Sequence, residues 1–271
     1  MAIVRPPTRL SWVPASESWS AFGLGAAGLV LLAAGEEGLA RSGAVSTEYL
    51  PPASTICIRL VQLLGNVPFL ADLRDTAVGA AAGLLIAVPL GLALGLLFGL
   101  VRSAYTAVRV VVDLLRPVPA VAIVPLLVLV AGLGRTSVVC TVVAATVWPV
   151  LLNTVHGVRD VDGLALETAR MFGASWWRRL FEVVLPSASP SIGAGIRVVT
   201  SLALVITVAA ELLIGTDSGI GSYILVASQG GGHTDLVYAA VCAAGLLGLV
   251  VNWATQRLER LWIPWSAGAA R

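Results

Sequence analysis

The sequence predicts an all-α integral membrane protein that crosses the bilayer six times. Three observations lead there. The chain of 271 residues is 58% hydrophobic and 12% charged, with a mean hydropathy of +0.92, whereas soluble domains carry roughly 25% charged residues. A core of that size could be buried in water, but so few charges could not cover it. Apolar runs also recur at lengths near the ~20 residues that a helix needs to cross a ~30 Å hydrocarbon layer. Alternation of period two with turns every ten residues or so, the mark of a transmembrane barrel, is absent.

The elements follow in order. Residues 1–19 form a polar tail with Arg5 and Arg9. No small-residue cleavage site follows, so the next run, Ser20–Ala34, reads as an uncleaved first span. The other spans are Thr76–Val101, Val118–Leu133, Ser137–Val158, Ser191–Ile214 and Leu236–Thr255, with a second tail at 259–271. The first and third are short and depend on flanking turns to reach across. Between spans one and two, Leu50-Pro51-Pro52 opens a stretch with Ile56, Leu60, Leu63 and Leu64 on one helical face and Arg59 and Gln62 off it. That stretch is read either as lying on the outer membrane surface or as an ordinary packed helix, before the chain turns inward at Asp72–Asp75. Gly79, Gly83, Gly91, Gly95 and Gly99 make the second span a surface for close helix packing, with a dimer seam as the alternative.

Orientation comes from arginine. With the N-terminus inside, the inner segments hold Arg5, Arg9, Arg102, Arg109, Arg116, Arg159, Arg170, Arg178, Arg179, Arg257, Arg260 and Arg271. The outer ones hold only Arg41, Arg59, Arg74 and Arg135.

Composition also excludes function classes. All 17 basic residues are Arg, so a Walker A loop, which needs Lys on the phosphates, is ruled out, as is Schiff-base or Ser-Lys chemistry. Cys57, Cys140 and Cys242 suggest no disulfide framework, and with His156 and His233 they have no metal-ligand spacing. Neither a carboxylate pair, a Cys/His constellation nor a Gly-x-Ser-x-Gly elbow is present, so no catalytic residue or cofactor is expected. A net charge of +2 is too small to indicate nucleic acid.

Four places could carry function. The polar insert 159–186 reads as a helix over Asp160–Met171, a sharp turn at Gly173, and a second helix, Ser175–Val184, ending before Pro186. Trp176, Trp177, Arg178 and Arg179 would give it the residue types of a contact hot spot; anchoring at lipid headgroups is the plainer reading. Glu211 in the fifth span would cost roughly 2.5–3.5 kcal/mol at a helix centre, less toward an interface, so it either locks helices together or meets substrate. Arg197 in the same span is about 21 Å away along a straight helix and cannot pair with it. Prolines 117, 119, 125 and 149 break spans three and four, freeing carbonyls that need a protein or water partner. Asn153 and His156, one turn apart below the Pro149 break, would line an inner vestibule, or His156 simply ends its helix. The outer loop Thr216–Asp235 contains a short apolar helix, Ser222–Ser228, read as a gate, a docking surface or a connector.

The insert reads Glu167-Thr168-Ala169, three residues, Gly173, nine residues, then Val183-Val184-Leu185-Pro186. That spacing resembles the cytoplasmic "EAA" loop of the membrane subunits of ATP-binding-cassette importers. Further runs in order, Leu115 to Pro119, Pro125-Leu126, Gly132-Leu133-Gly134, Ala209-Ala210-Glu211-Leu212 and Gly219-Ile220-Gly221, are similar to the taurine/sulfonate/nitrate branch of those permeases. The resemblance covers roughly Leu50 to Arg260. It implies the type I importer permease fold over residues 20–258, with coupling helices between spans four and five. Glu167, Ala169, Arg170, Gly173, Ala174, Trp176, Trp177, Arg178, Leu185 and Pro186 would seat on an ATPase. Pro119, Asn153, His156, Arg197 and Glu211 would belong to the translocation path. The implied partners are two cytoplasmic ATPase subunits that bind ATP and Mg, an extracytoplasmic solute-binding protein, a second copy of the permease, and membrane lipid. The implied setting is a bacterial inner membrane with both termini cytoplasmic, and the implied cargo is a small anion such as a sulfonate, taurine or nitrate. An exporter or passive channel subunit is the alternative.

Overall fold

Inside a bilayer no water is available to satisfy backbone N–H and C=O groups, so a chain this apolar closes its hydrogen bonds within helices. The computed structural model describes residues 17–115, 117–231 and 233–262 and contains no strand among them. Five helices in that range are long and apolar enough to span a membrane, and the number is six if one bent pair is taken as a single span. The chain divides into two compact units at Ile58.

The first unit centres on α1 (Glu17–Arg41), whose 25 residues make it about 37 Å long. The first span is therefore not short: it runs on through Glu36 and Glu37. Glu37 pairs with Arg41 at 2.6 Å and accepts from Ser54 N at 3.0 Å and Ser54 Oγ at 2.9 Å, which holds the loop. Helix α2 (Ala53–Leu64) has the expected apolar face at Ile56 and Leu63, both buried, with Leu60 half-buried, but Leu64 is exposed.

The second unit takes in the end of α2 from Arg59 and continues into α3 (Val67–Leu100), a 34-residue helix started by Pro68 and by Asn66, which accepts from Phe69 N at 3.4 Å. It passes straight through Asp72–Asp75, so the expected turn there does not exist. Next comes α4 (Arg102–Leu115), amphipathic and absent from the six-span reading. A short 3₁₀ turn, Ala120–Ile123, leads into α5 (Val124–Ala131). Helix α4 and the segment Ala120–Ala131 are bent by 85° to each other and make a third crossing only when the pair is taken as one span; prolines 117 and 119 between them prevent one continuous ladder. Helix α6 (Arg135–Arg159) follows, then α7 (Gly163–Met171) and α8 (Trp176–Arg179). A π-turn, Leu180–Val184, joins α8 without interruption to α9 (Leu185–Ile214). Helix α10 (Ile220–Gln229) precedes α11 (Thr234–Trp262), which runs past the expected boundary at 258. Residues 1–16 and 263–271, most of the two expected tails, lie outside the described residues, as does Arg116.

Helix α6 is the spine. On one side the glycines of α3 lie against it. A Cβ on Gly91 would fall 2.8 Å from Val150 Cβ, one on Gly95 2.8 Å from the Leu151 carbonyl, and one on Gly99 2.8 Å from Val158 Cβ; at Gly83 it would collide with Val142. The small-residue row is spent inside the chain, Gly79 against Thr207 of α9 and the other four against α6, and is not free to form a dimer seam. On the other side α9 crosses closely at Gly157, where a Cβ would sit 2.9 Å from Ser191 Cβ, and at Gly195, 2.8 Å from Asn153 Cβ. The buried hydroxyls of Thr141, Thr146 and Thr154 each donate to the carbonyl four residues back, at 2.7–2.8 Å, so these three are satisfied within the helix. Leu85, Leu129, Val130, Val205 and Leu249 stay exposed, the pattern of a lipid-facing surface.

Candidate functional site

The elbow between α6 and α9 is built from local capping rules. Asp162 opens α7 by accepting from Leu164 N at 2.9 Å. The helix ends in a Schellman motif: Gly173 N donates to Arg170 O at 2.9 Å and Ala174 N to Ala169 O at 3.0 Å, with Gly173 at φ +75°. Ser175 then caps α8 through Arg178 N, and Arg178 pairs with Glu182 at 2.9 Å. The spacing Ala169, Gly173, Ala174 is thus the geometry of one tight turn between two helices. Pro186 does not end the second helix, as had been expected. The π-turn widens the backbone, and Leu185 N reaches Leu180 O five residues back, so the missing N–H of Pro186 costs little there.

Val158, Leu180, Val184 and Ala188 bury the root of the elbow against the bundle. Its outward side is apolar: Met171 is 80% and Phe172 86% exposed, beside exposed Leu164, Trp177 and Phe181. Trp176 meets Trp177 edge-on at 4.5 Å, and Trp177 stacks over Phe181 at 6.1 Å. Glu167 is exposed and makes no ion pair or hydrogen bond among the described residues. Leu185 and Pro186 lie half-buried at the π-turn, apart from that surface.

The expected path residues separate into three places. Asn153 and His156 share a cavity of about 410 Å³ with Trp148, Pro149, Leu152 and Leu202; Val118 and Ala120, flanking Pro119, also line it. Helix α6 runs on through Pro149, so the break expected there does not exist; Asn153 Nδ2 donates to the Pro149 carbonyl at 2.8 Å, which takes up one backbone acceptor beside the proline. No carboxylate lines this cavity. Arg197 lies elsewhere, forming two hydrogen bonds to Glu259 of α11, at 2.8 and 2.5 Å. Sequence reasoning missed that partner because Glu259 was placed in a tail.

Glu211 is at the far end of α9 and only 4% exposed. Its carboxylate accepts from Thr76 Oγ1 at 2.9 Å and Gly221 N at 3.0 Å. Thr76 Oγ1 in turn accepts from Ile220 N at 2.9 Å, and Asp72 from Gly219 N at 2.9 Å. Three successive amides that open α10 are therefore satisfied by three side chains from α3 and α9, where the helix dipole also favours negative charge. The fit admits no side chain: a Cβ at Gly219 would collide with the Glu211 carboxylate, and one at Gly221 with the Val208 carbonyl. Asp75 pairs with Arg135 at 3.0 Å beside a second cavity of about 230 Å³ that Glu211 also lines. Asp72 and Thr76, one turn apart in sequence, were the available signal, but Asp72 read as part of a turn and Thr76 as the start of the second span.

Comparison with known proteins agrees with this layout. Residues 87–263 match the family described as "Binding-protein-dependent transport system inner membrane component". The chain is 31% identical over 223 residues to the putative aliphatic sulfonates transport permease SsuC of Bacillus subtilis, covering 82% of this chain and 80% of that one. It is 29% identical to the taurine transport permease TauC of Escherichia coli, over 82% of each chain. Among solved structures it resembles a bacterial ABC transporter that imports the acidic polysaccharide alginate (TM-score 0.63, 15% identity, 89% of this chain and 95% of that one). It also resembles the inward-facing methionine transporter MetNI (TM-score 0.57, 16% identity, 71% and 93%). These likenesses carry the type I importer permease fold, and the family match sets the exporter and channel readings aside. The chain therefore belongs to the family of inner-membrane permease components of binding-protein-dependent ATP-binding-cassette importers.

Proposed function

We propose that this permease moves a small anion and is driven at its elbow by a separate ATPase. The observation that carries the drive is the elbow itself: two short helices set by Gly173, rooted in the bundle and presenting Met171, Phe172, Trp177 and Phe181 outward around an unpartnered Glu167. An apolar, aromatic surface of this kind, outside the buried core, suits a protein partner. Arginine asymmetry puts the elbow on the cytoplasmic side of a bacterial inner membrane, with both termini there. ATP and Mg belong to the partner, since this chain has no Lys for a phosphate loop and performs no covalent step itself.

The path ends in the cavity lined by Trp148, Asn153 and His156, whose polar groups include hydrogen-bond donors and no carboxylate. That chemistry fits an anion, in keeping with relatives named for sulfonates, taurine, bicarbonate and nitrate. A solute-binding protein would deliver cargo at the opposite end, near Glu211, and a second copy of the chain would complete the path.

The test is assembly. Glu167→Arg and Gly173→Pro should leave the permease in the membrane while its co-purification with the ATPase is lost. Normal ATPase recovery with both variants would overturn the coupling assignment.

A further inference from the structure

Most described arginines of this chain have a carboxylate: Arg41, Arg59, Arg74, Arg109, Arg135, Arg178 and Arg197 each pair within 4 Å. Of the described arginines that do not, Arg257 and Arg260 are on α11 and the other four gather around two cavities. Arg170 and Arg179 line a cavity of about 280 Å³, and Arg102 and Arg159 line another of about 250 Å³. The two cavities share Gly99, at the end of α3, in their walls, and no acidic residue lines either. Arg179 Nε is buried without a hydrogen-bond partner. Arg159 uses one nitrogen on the Phe98 carbonyl at 2.9 Å and stacks over Tyr105 at 4.0 Å, so its plane is fixed but its charge is not neutralised.

We propose that these paired cavities hold the phosphate headgroup of an anionic phospholipid from the leaflet on the elbow side. Guanidinium groups are fork-shaped donors that match phosphate oxygens, and four of them without a counter-ion at the end of a membrane span create a demand for negative charge. Basic pockets between transmembrane helices are where anionic headgroups bind. The larger cavity fits an amphiphile rather than a free ion: its walls combine the two arginines with Leu100, Val158, Leu180, Val184 and Trp176. An indole in that setting is the residue type enriched at headgroup depth. An acidic side chain from the ATPase is the competing occupant. The apolar residues offered outward by the elbow, Met171, Phe172, Trp177 and Phe181, line neither cavity, whereas Arg170 and Trp176, expected at the ATPase contact, line the larger one, so the site adjoins the proposed docking surface. A bound lipid would tie the end of α3 and the start of α4 to the elbow, giving the elbow a lipid-dependent stance. The site rests on the membrane reading, its leaflet on the proposed orientation, and neither on the ATPase assignment.

The experiment uses the full permease–ATPase complex, delipidated in detergent and mixed with dioleoylphosphatidylglycerol, dioleoylphosphatidylcholine or inorganic phosphate, with bound lipid counted by native mass spectrometry. The wild type should retain phosphatidylglycerol at least tenfold better than phosphatidylcholine, and inorganic phosphate should not displace it. The pairs Arg170→Gln/Arg179→Gln and Arg102→Gln/Arg159→Gln should each bring the ratio toward one; Arg257→Gln, which lines neither cavity, should not. The corresponding Lys pairs should keep most of the preference, and with the wild-type ratio they decide the matter if a Gln pair fails to assemble. Equal retention of the two lipids by the wild type, or a ratio unchanged in both Gln pairs, overturns the proposal. So does displacement by inorganic phosphate, which would make the occupant a free anion. Loss of the ATPase from the Gln pairs while phosphatidylglycerol stays bound would assign the arginines to the ATPase instead.

Discussion

Glu211 survives at membrane depth because its surroundings were built for it. One carboxylate oxygen takes a hydroxyl and a backbone amide, and the glycines at 219 and 221 give it room. Replacing Glu211 by Gln keeps an acceptor oxygen for both donors, whereas Leu leaves Gly221 N–H and the Thr76 hydroxyl unpaired. Each unmet buried group costs about 1–3 kcal/mol. Glu211→Leu should therefore lower the thermal midpoint of the purified protein clearly more than Glu211→Gln, and equal losses would mean the hydrogen bonds do not hold α10. The Arg197–Glu259 pair offers a second check: Arg197→Glu should loosen the α9–α11 contact, and adding Glu259→Arg should recover at least half of the lost midpoint. The sequence could announce the expense of Glu211 but not its partners, because Thr76 is 135 residues away and nothing local points to it. Glu259 was hidden in the same way, in a stretch polar enough to read as a tail.

Among the elements, α3 and α6 are fitted by shape alone. Gly95→Val would push a branched side chain into Thr154 and the Leu151 carbonyl, an overpacking that costs about 1–3 kcal/mol. Gly248→Ala on α11 meets nothing within 4 Å and should be neutral or slightly stabilising. Yield and thermal midpoint of the two variants, side by side, test the assignment of that glycine row to an internal seam. The existence of spans two, four, five and six was legible, since each is a long apolar run whose bounds moved only modestly, apart from the start of α3. Their sequels were less so. The third crossing broke because its prolines outweighed its hydropathy, and α4 was passed over because its polar face with Arg102, Arg109 and Asp113 diluted the apolar signal. The elbow was the most readable part, as its caps, Asp162, Gly173 and Ser175, are local devices that depend on neighbours in sequence.

For the molecule as a whole, orientation is the most informative property still to be measured. With Cys57, Cys140 and Cys242 changed to Ala, Phe172→Cys should react with a membrane-impermeant maleimide only after permeabilisation, and Gln229→Cys before it. Labelling of both from the same side would contradict six crossings with the elbow inside. Arginine asymmetry anticipates this result because charges resist translocation whatever the fold; the separation of the path residues into three places was invisible, since only packing decides which end of α9 each one meets. The wide turn at Leu180–Val184 has one further bearing on the whole. It lets Trp176–Ile214 run as one 39-residue rod from the elbow to the Glu211 end. Removing a single residue there, Val183 for instance, would restore ordinary winding and swing the elbow by roughly 100° about the rod axis. A drive shaft with its key cut in the wrong quadrant would still turn, but its teeth would face away from the motor.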